Sequence, residues 1–328
     1  MKILLTGAKG QLGSDLVRVL SEPASAKSLA DLSAGSHLPA SAGQAGAEAG
    51  RFDLIPLTHQ DLDILDYSQV FKVVGKYSPD ILINTAAYHK VEECEERLDL
   101  SFQVNSWAVK NLAHICKELN VTLVHFSTDY VFDGKKRRPY REEDEPCPLN
   151  AYGISKLAGE YFIRYILKKY FIIRSSGLFG RGGSRQKGGN FVKIMLRKAK
   201  EGEEIKVVGD QIFSPTYTLD LAESVKELIK TSSYGLYHIT NSGECSWYEF
   251  AEKIFQLSKL KVYPVRNRGF SRISKISNGV SLKRVKSKEF KTKVLRPEYS
   301  VLGNYKLKEI GLSVLRPWDE ALKEYLKG

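Results

Sequence analysis

Tyr152 and Lys156 stand four residues apart, with Thr128 upstream and glycines at 7, 10 and 13 near the start of the chain. On a helix, positions i and i+4 share one face. The segment Tyr152-Gly153-Ile154-Ser155-Lys156 can therefore aim a phenol and an ammonium at one spot. A phenol with its ordinary pKa of about 10 exchanges protons poorly near pH 7, and a neighbouring cation lowers that value by favouring phenolate. The pair is then a tunable general acid/base for a hydride-transfer site. Tyr and Lys fall at this spacing on many ordinary helices, so the assignment depends on what surrounds them.

The glycines supply that context. Thr6-Gly7-Ala8-Lys9-Gly10-Gln11-Leu12-Gly13 follows an apolar run and opens a helical pattern, giving G-x-x-G-x-x-G. Gly7, Gly10 and Gly13 suit a tight turn, close backbone approach to a pyrophosphate, and close helix-to-sheet packing. The helix N-terminus adds oriented N–H groups and a positive dipole end for phosphates. At the end of the second strand an acid normally binds the ribose hydroxyls of NAD. Here Leu57 is followed by Thr58 and His59. The missing acid predicts that NADPH is accepted, with NADH as well; no arginine at that point marks a 2′-phosphate site.

These residues need a sheet to hold them. Apolar runs at Lys2–Thr6, Asp53–Leu57, Ile81–Asn84, Leu123–Ser127 and Phe171–Ser175 read as strands. They alternate with helical patterns at Gln11–Leu20, Ser68–Lys76, Phe102–Asn120 and Ala151–Lys169, the rhythm of an α/β fold with a doubly wound parallel sheet. Residues 1–176 are thus expected to form a Rossmann-like NAD(P)-binding domain. Beyond Ser176 the elements shorten: helices near Phe191–Lys200, Leu219–Ile229, Trp247–Leu257 and Trp318–Leu326, and strands near Ile205–Val208 and Leu236–Thr240. Residues 177–328 are expected to form a smaller substrate-binding lobe, with the chain able to cross between the two. Two stretches fall outside this plan. Residues 21–50, rich in Ser, Ala and Gly, stand where a connection is usually about 2–6 residues and read as a mobile insertion. Residues 263–282, polar and basic, read as a second insertion.

The 328 residues are 42% hydrophobic and 27% charged, an ordinary globular balance. No apolar run approaches the ~20 residues of a membrane span, and the first residues are too soon broken by Gly7 to be a signal peptide. Cys94, Cys116, Cys147 and Cys245 include no C-x-x-C pair, which points away from a disulfide framework or structural metal and towards a reducing cytoplasm. The net charge of +12 is concentrated between Lys261 and Arg296, where twelve basic residues face one acid, Glu289. With no nucleic-acid motif, this reads as a solvated basic segment that can still attract a polyanionic nucleotide. The acidic run Glu92-Glu93-Cys94-Glu95-Glu96 reads as a helix start, where negative charge complements the dipole, rather than as a metal site.

The chain resembles the extended short-chain dehydrogenase/reductases, most closely their dTDP-4-dehydrorhamnose reductase branch. The resemblance is carried by the glycine loop, Asp61-Leu62-Asp63-Ile64, Asn84-Thr85-Ala86-Ala87-Tyr88, Val104-Asn105, Ser127-Thr128-Asp129-Tyr130-Val131-Phe132-Asp133-Gly134 and Pro148-Leu149-Asn150-Ala151-Tyr152-Gly153-Ile154-Ser155-Lys156. It continues through Gly209-Asp210-Gln211-Ile212-Phe213-Ser214-Pro215-Thr216, Asn241-Ser242-Gly243-Glu244-Cys245-Ser246-Trp247 and Arg296-Pro297-Glu298-Tyr299-Ser300-Val301-Leu302. It implies that Thr128 binds the substrate carbonyl, Tyr152 donates the proton, and Lys156 modulates the tyrosine and meets the nicotinamide ribose. Gly10, Gln11, Leu12, Asp63, Ile64, Ala86, Ala87, Tyr88 and Asn105 would lie along the cofactor, with Asp63 at the adenine, and Asp129 would meet the sugar. The implied reaction is reduction of C4 of dTDP-4-dehydro-β-L-rhamnose in nucleotide-sugar biosynthesis, by a monomer or homodimer. Magnesium accompanies some members, and the sequence offers no independent ligand set for it.

The chain also departs from the pattern. Where many members place Trp, Arg174-Ser175-Ser176 is followed by Gly177, so an aromatic wall of the sugar pocket is either missing or supplied by Phe179. Alternatives on the same scaffold are a nucleotide-sugar epimerase or dehydratase, and a non-catalytic subunit like the regulatory β subunit of methionine adenosyltransferase. A dehydratase usually carries Asp-Glu after the Thr; here Asp129 is followed by Tyr130. Intact Thr128, Tyr152 and Lys156 favour an enzyme over the regulator.

Overall fold

The computed structural model describes residues 1–22, 52–182, 189–264, 279–290 and 294–328. The central element is a six-stranded parallel sheet. It is built from β1 (Lys2–Thr6), β2 (Asp53–Leu57), β3 (Ile81–Asn84), β4 (Thr122–Thr128) and β5 (Tyr170–Ser175). After β6 (Ile205–Val208), the chain returns to this sheet as β7 (Gly235–His238), so the order is β7-β5-β4-β3-β1-β2. The order reverses around β1, which pairs with β2 on one side and β3 on the other. Ligands of such sheets bind beyond the carboxyl ends of the strands at this reversal.

Each strand feeds two cores through its alternation. Ile3, Leu5, Ile81, Ile83, Val124, Phe171 and Ile173 pack on one face with α1 (Gln11–Ser21). Leu4, Leu82, Leu123 and Ile172 point to the other. A strand buried on both faces reads as a continuous apolar run, as observed here. The second face is covered by α2 (Tyr67–Tyr77), α5 (Ala108–Glu118) and α6 (Ala151–Ile166), while α8 (Thr218–Leu228) joins α1 on the first. Short α3 (Val91–Glu96) and α4 (Leu98–Phe102) precede α5, and α7 (Phe191–Glu201) precedes β6.

The stretch read as one helix over 102–120 is interrupted. Gln103–Trp107 forms a π turn before α5, a feature that inserts a residue and re-aims side chains. It carries Asn105, whose backbone oxygen lies so close to α6 that a Cβ on Gly159 would sit 2.4 Å away.

The later part of the chain builds its own core from Phe179, Val192, Met195, Phe213, Tyr217, Phe250, Phe255 and Leu322. Within it, β8 (Lys261–Pro264), β9 (Gly279–Val285) and β6 form a three-stranded parallel sheet in the order β8-β9-β6. Both ends of the stretch read as a basic insertion are therefore strands; its centre, 265–278, lies outside the described residues, as does nearly all of the insertion read at 21–50. Among the described residues no helix is long and apolar enough to cross a membrane.

Candidate active site

The site is assembled at the carboxyl ends of β1, β3 and β4. At β1 the chain turns through Gly7, whose φ of +76° favours glycine, and enters α1. A Cβ on Gly13 would lie 2.2 Å from the Gly7 carbonyl oxygen, so this cradle closes only with glycine at 13. No side chain caps α1 at Gly10, which leaves its N-terminus fit for a phosphate. Gln11 starts the helix, whereas Leu12 is buried in the core and can offer only backbone there.

At β3 the segment Ala86, Ala87 and Tyr88 is held by Asn105: the Tyr88 amide donates to Asn105 Oδ1 at 2.9 Å, and Asn105 Nδ2 returns a bond to the Tyr88 carbonyl at 2.9 Å. Asn105 thus shapes this edge of the cleft. The Tyr88 hydroxyl donates to Glu93 at 2.7 Å, and this bond to a carboxylate pushes the phenol up to about 12. Near β2, Asp63 Oδ1 accepts from the Leu65 amide in a tight turn, and Ile64 is buried. The strand ends at Leu57 as read. No acid follows it directly; Asp61, three residues after Thr58, accepts from the Thr58 hydroxyl at 2.6 Å and the Thr58 amide at 2.8 Å. Those bonds hold its carboxyl below the usual range, with a smaller contribution from Lys9.

Thr128 ends β4, and Tyr152 and Lys156 ride on α6. The helix start is fixed twice over. Asn150 accepts from the Gly153 amide at 2.8 Å, and Glu95, from the acidic run, accepts from the Ala151 amide at 2.8 Å. Gly153 lets the helix approach, since a Cβ there would be 2.2 Å from the Tyr130 carbonyl oxygen. The Tyr152 ring stands edge-on to Tyr130, two residues after Thr128, at 6.1 Å between centroids. Burial, then the charge of Asp129, raise the Tyr152 pKa, outweighing the opposing effect of the Thr128 side chain. The expected lowering by the lysine is not among the influences on this phenol; Lys156 Nζ donates to the Phe126 carbonyl at 2.6 Å and lies 3.1 Å from His125 Nε2. Lys156 is 1% exposed, and burial pushes it down to about 8.

Asp129 is held by three hydroxyls: Thr128 at 3.1 Å, Ser176 at 2.8 Å and Ser300 at 2.6 Å. Burial raises its pKa. Ser300 and Glu95 escaped the sequence reading because their partners lie 171 and 56 residues away. Phe179 is not the aromatic wall: it is 0% exposed and stacks on Tyr217 in the core. The space beside Gly177 is filled by Phe213, itself buried in the same core, since a Cβ on Gly177 would lie 2.2 Å from its ring, and Phe213 stacks on Trp247 at 3.9 Å between centroids. For magnesium, no cluster of three or more His, Cys, Asp or Glu able to hold a metal occurs among the described residues. A cavity of about 680 Å³, lined by Met1, Ser78, Asp80 and Thr122 among others, opens at the amino ends of the strands, away from Thr128.

The reversed parallel sheet, the glycine-lined helix start and the Thr–Tyr–Lys cluster at the strand ends define a Rossmann-like α/β protein. The chain belongs to the family described as RmlD substrate binding domain, whose profile matches residues 1–328. It is 39% identical over 326 residues to the spore coat polysaccharide biosynthesis protein SpsK of Bacillus subtilis, covering 99% of this chain and 97% of that one. It is 35% identical over 325 residues to dTDP-4-keto-6-deoxy-D-glucose reductase of Streptomyces niveus, covering 98% and 95%. A crystal structure of dTDP-4-dehydrorhamnose reductase from Bacillus anthracis in complex with NADP superposes with a TM-score of 0.81 at 36% identity, over 99% of this chain and 98% of that one.

Proposed function

We propose that the protein reduces the C4 ketone of dTDP-4-dehydro-β-L-rhamnose to dTDP-β-L-rhamnose, in the cytoplasm, as a step of nucleotide-sugar biosynthesis for cell-surface polysaccharide. NADPH, with NADH as an alternative, supplies the hydride when bound; Gly7, Gly10, Gln11 and Gly13 would hold its pyrophosphate, and Ala86, Ala87 and Tyr88 would flank it. The cradle that closes only with glycine at 13 fits such a group. The observation that carries the reading is the close approach of the start of α6 to the carboxyl end of β4, where Gly153 fits against the Tyr130 carbonyl and the Tyr152 ring stands edge-on to Tyr130, two residues after Thr128. Thr128 orients the ketone oxygen, and Tyr152 protonates it as negative charge develops. A raised pKa keeps the phenol protonated and available as the acid, and Lys156 stabilises the phenolate left behind. Asp129, surrounded by three hydroxyls, holds the end of β4 against the later part of the chain and is not a free acid for elimination.

Tyr152→Phe keeps the ring and removes only the acid. Turnover of dTDP-4-dehydrorhamnose, followed by NADPH oxidation and identification of the sugar product, should fall by roughly 10²–10⁴-fold, with cofactor binding retained. A purified variant turning over at nearly the wild-type rate would refute the assignment. A parallel assay with dTDP-4-keto-6-deoxy-D-glucose separates the two ketose substrates.

A further inference from the structure

Thr6, Asn84 and His125 stand side by side, in register, on β1, β3 and β4. Leu4, Leu82 and Leu123, two residues earlier on each strand, belong to the apolar core beneath α6. Strand alternation therefore puts the three polar side chains in the next row of the same face. Buried polar groups need partners, and these form a chain. Thr6 Oγ1 bonds to Asn84 Oδ1 at 2.7 Å, Asn84 Nδ2 lies 3.2 Å from His125 Nδ1, and His125 Nε2 lies 3.1 Å from Lys156 Nζ.

One end of the chain sets its direction. The Ala86 amide can only donate, and it donates to Asn84 Oδ1 at 3.2 Å. The carboxamide therefore presents its NH₂ group, not its oxygen, to His125. Nδ1 then accepts, and a neutral imidazole carries its one proton on Nε2, aimed at Nζ. An ammonium has three donors and no acceptor, so it would set donor against donor. A neutral amine can accept from Nε2–H and still donate to the Phe126 carbonyl.

Among the other charged groups around Lys156, the Glu160 carboxylate favours the ammonium, and burial outweighs it. On its own helix, Glu160 spends both oxygens on Arg174 of β5. At the end of β4, Asp129 is taken up by Thr128, Ser176 and Ser300. Tyr152, one turn earlier on α6, is a neutral phenol.

We propose that Asn84 and His125 are positioning residues for Lys156. The Ala86 amide locks the carboxamide, the carboxamide locks His125 as the Nε2–H tautomer, and that N–H opposes protonation of Lys156 in the cofactor-free protein. The tautomer lock stands on geometry alone; its effect on turnover rests on the role proposed above for Lys156. Because the active form carries the ammonium, activity falls as pH rises through the lysine's pKa, and the lock sets the basic limb of the pH profile.

The test uses the full-length protein labelled with ¹⁵N-histidine. The His125 resonances, among those of six histidines, are identified by their loss in His125→Gln. The wild type should show the Nε2–H tautomer. In Asn84→Asp the carboxylate has no donor and must accept from Nδ1–H, so the tautomer should reverse. Nε2 would then accept from the ammonium, and the basic limb of kcat/KM should move up by about one pH unit, a shift that loss of packing alone would not produce. A wild-type Nδ1–H tautomer overturns the lock. A reversed tautomer with an unmoved limb overturns its link to Lys156. Full turnover in Lys156→Met would instead overturn the catalytic reading and leave the tautomer result standing.

Discussion

Glu160 and Arg174 form the most deeply buried ion pair in the described structure, at 0% and 1% exposure. Arg174 Nε and Nη2 donate to the two Glu160 oxygens at 2.9 and 2.6 Å, and the Ser127 hydroxyl adds a third bond at 2.5 Å. The guanidinium also lies over the Phe132 ring, 5.1 Å from its centroid. Glu160→Gln keeps the shape but leaves a buried cation without an anion. Breaking a pair of this kind costs about 3–5 kcal/mol, because the remaining charge stays desolvated. At an unfolding entropy of about 2.1 cal/mol/K per residue, a chain of this length loses ~4–7 °C in Tm for that cost. Arg174→Met in the same chain removes the stranded charge, so the double variant should recover most of the loss. Thermal unfolding of the wild type, both single variants and the double variant closes the cycle. A Glu160→Gln protein melting within 1 °C of wild type, or a double variant no better than the worse single one, would refute the reasoning.

Two further outcomes follow from close contacts in the site. Gly153→Ala would drive a methyl into the Tyr130 carbonyl, 2.2 Å from the Cβ position; displacement of α6 should cost about 1–3 kcal/mol and lower kcat more than it raises KM, as read by denaturation and steady-state kinetics. At the end of β2, Asp61→Asn should shift the NADPH/NADH ratio of kcat/KM towards NADPH and Lys9→Ala should shift it towards NADH, each by roughly 2–5-fold, as expected for solvent-screened charges; equal ratios in both variants would place the reading of the 2′ position elsewhere.

The strands and the catalytic helix were legible because their signals are local. Five apolar runs announced the sheet, four of them largely buried and β2 partly exposed at its edge, and α6 was visible in the helical pattern from Ala151 and the i, i+4 pair on it. The π turn at Gln103–Trp107 was not, because nothing in its composition differs from a helix; what marks it is Asn105 reaching across to Tyr88 and Ser155. The same limit hid the carboxylate that folds back to the end of β2. Thr58 occupies the expected position and is not acidic, but a short turn returns Asp61 to its hydroxyl.

Phe179 shows how a correct local reading can still misplace a side chain. The resemblance implies that Gly177 stands where many members place an aromatic, and an aromatic two residues later is a natural substitute. Yet Phe179 is drawn into the core by Tyr217, Phe250 and Tyr325, where burying a ring of that size is worth about 1.5–3 kcal/mol. The space vacated at 177 is filled from a different segment, by Phe213 backed by Trp247. Glycine at 177 is therefore part of a paired arrangement. Enlarging it without shrinking Phe213 would place two groups in one volume, and only a coordinated exchange at both positions could restore an aromatic side chain at 177.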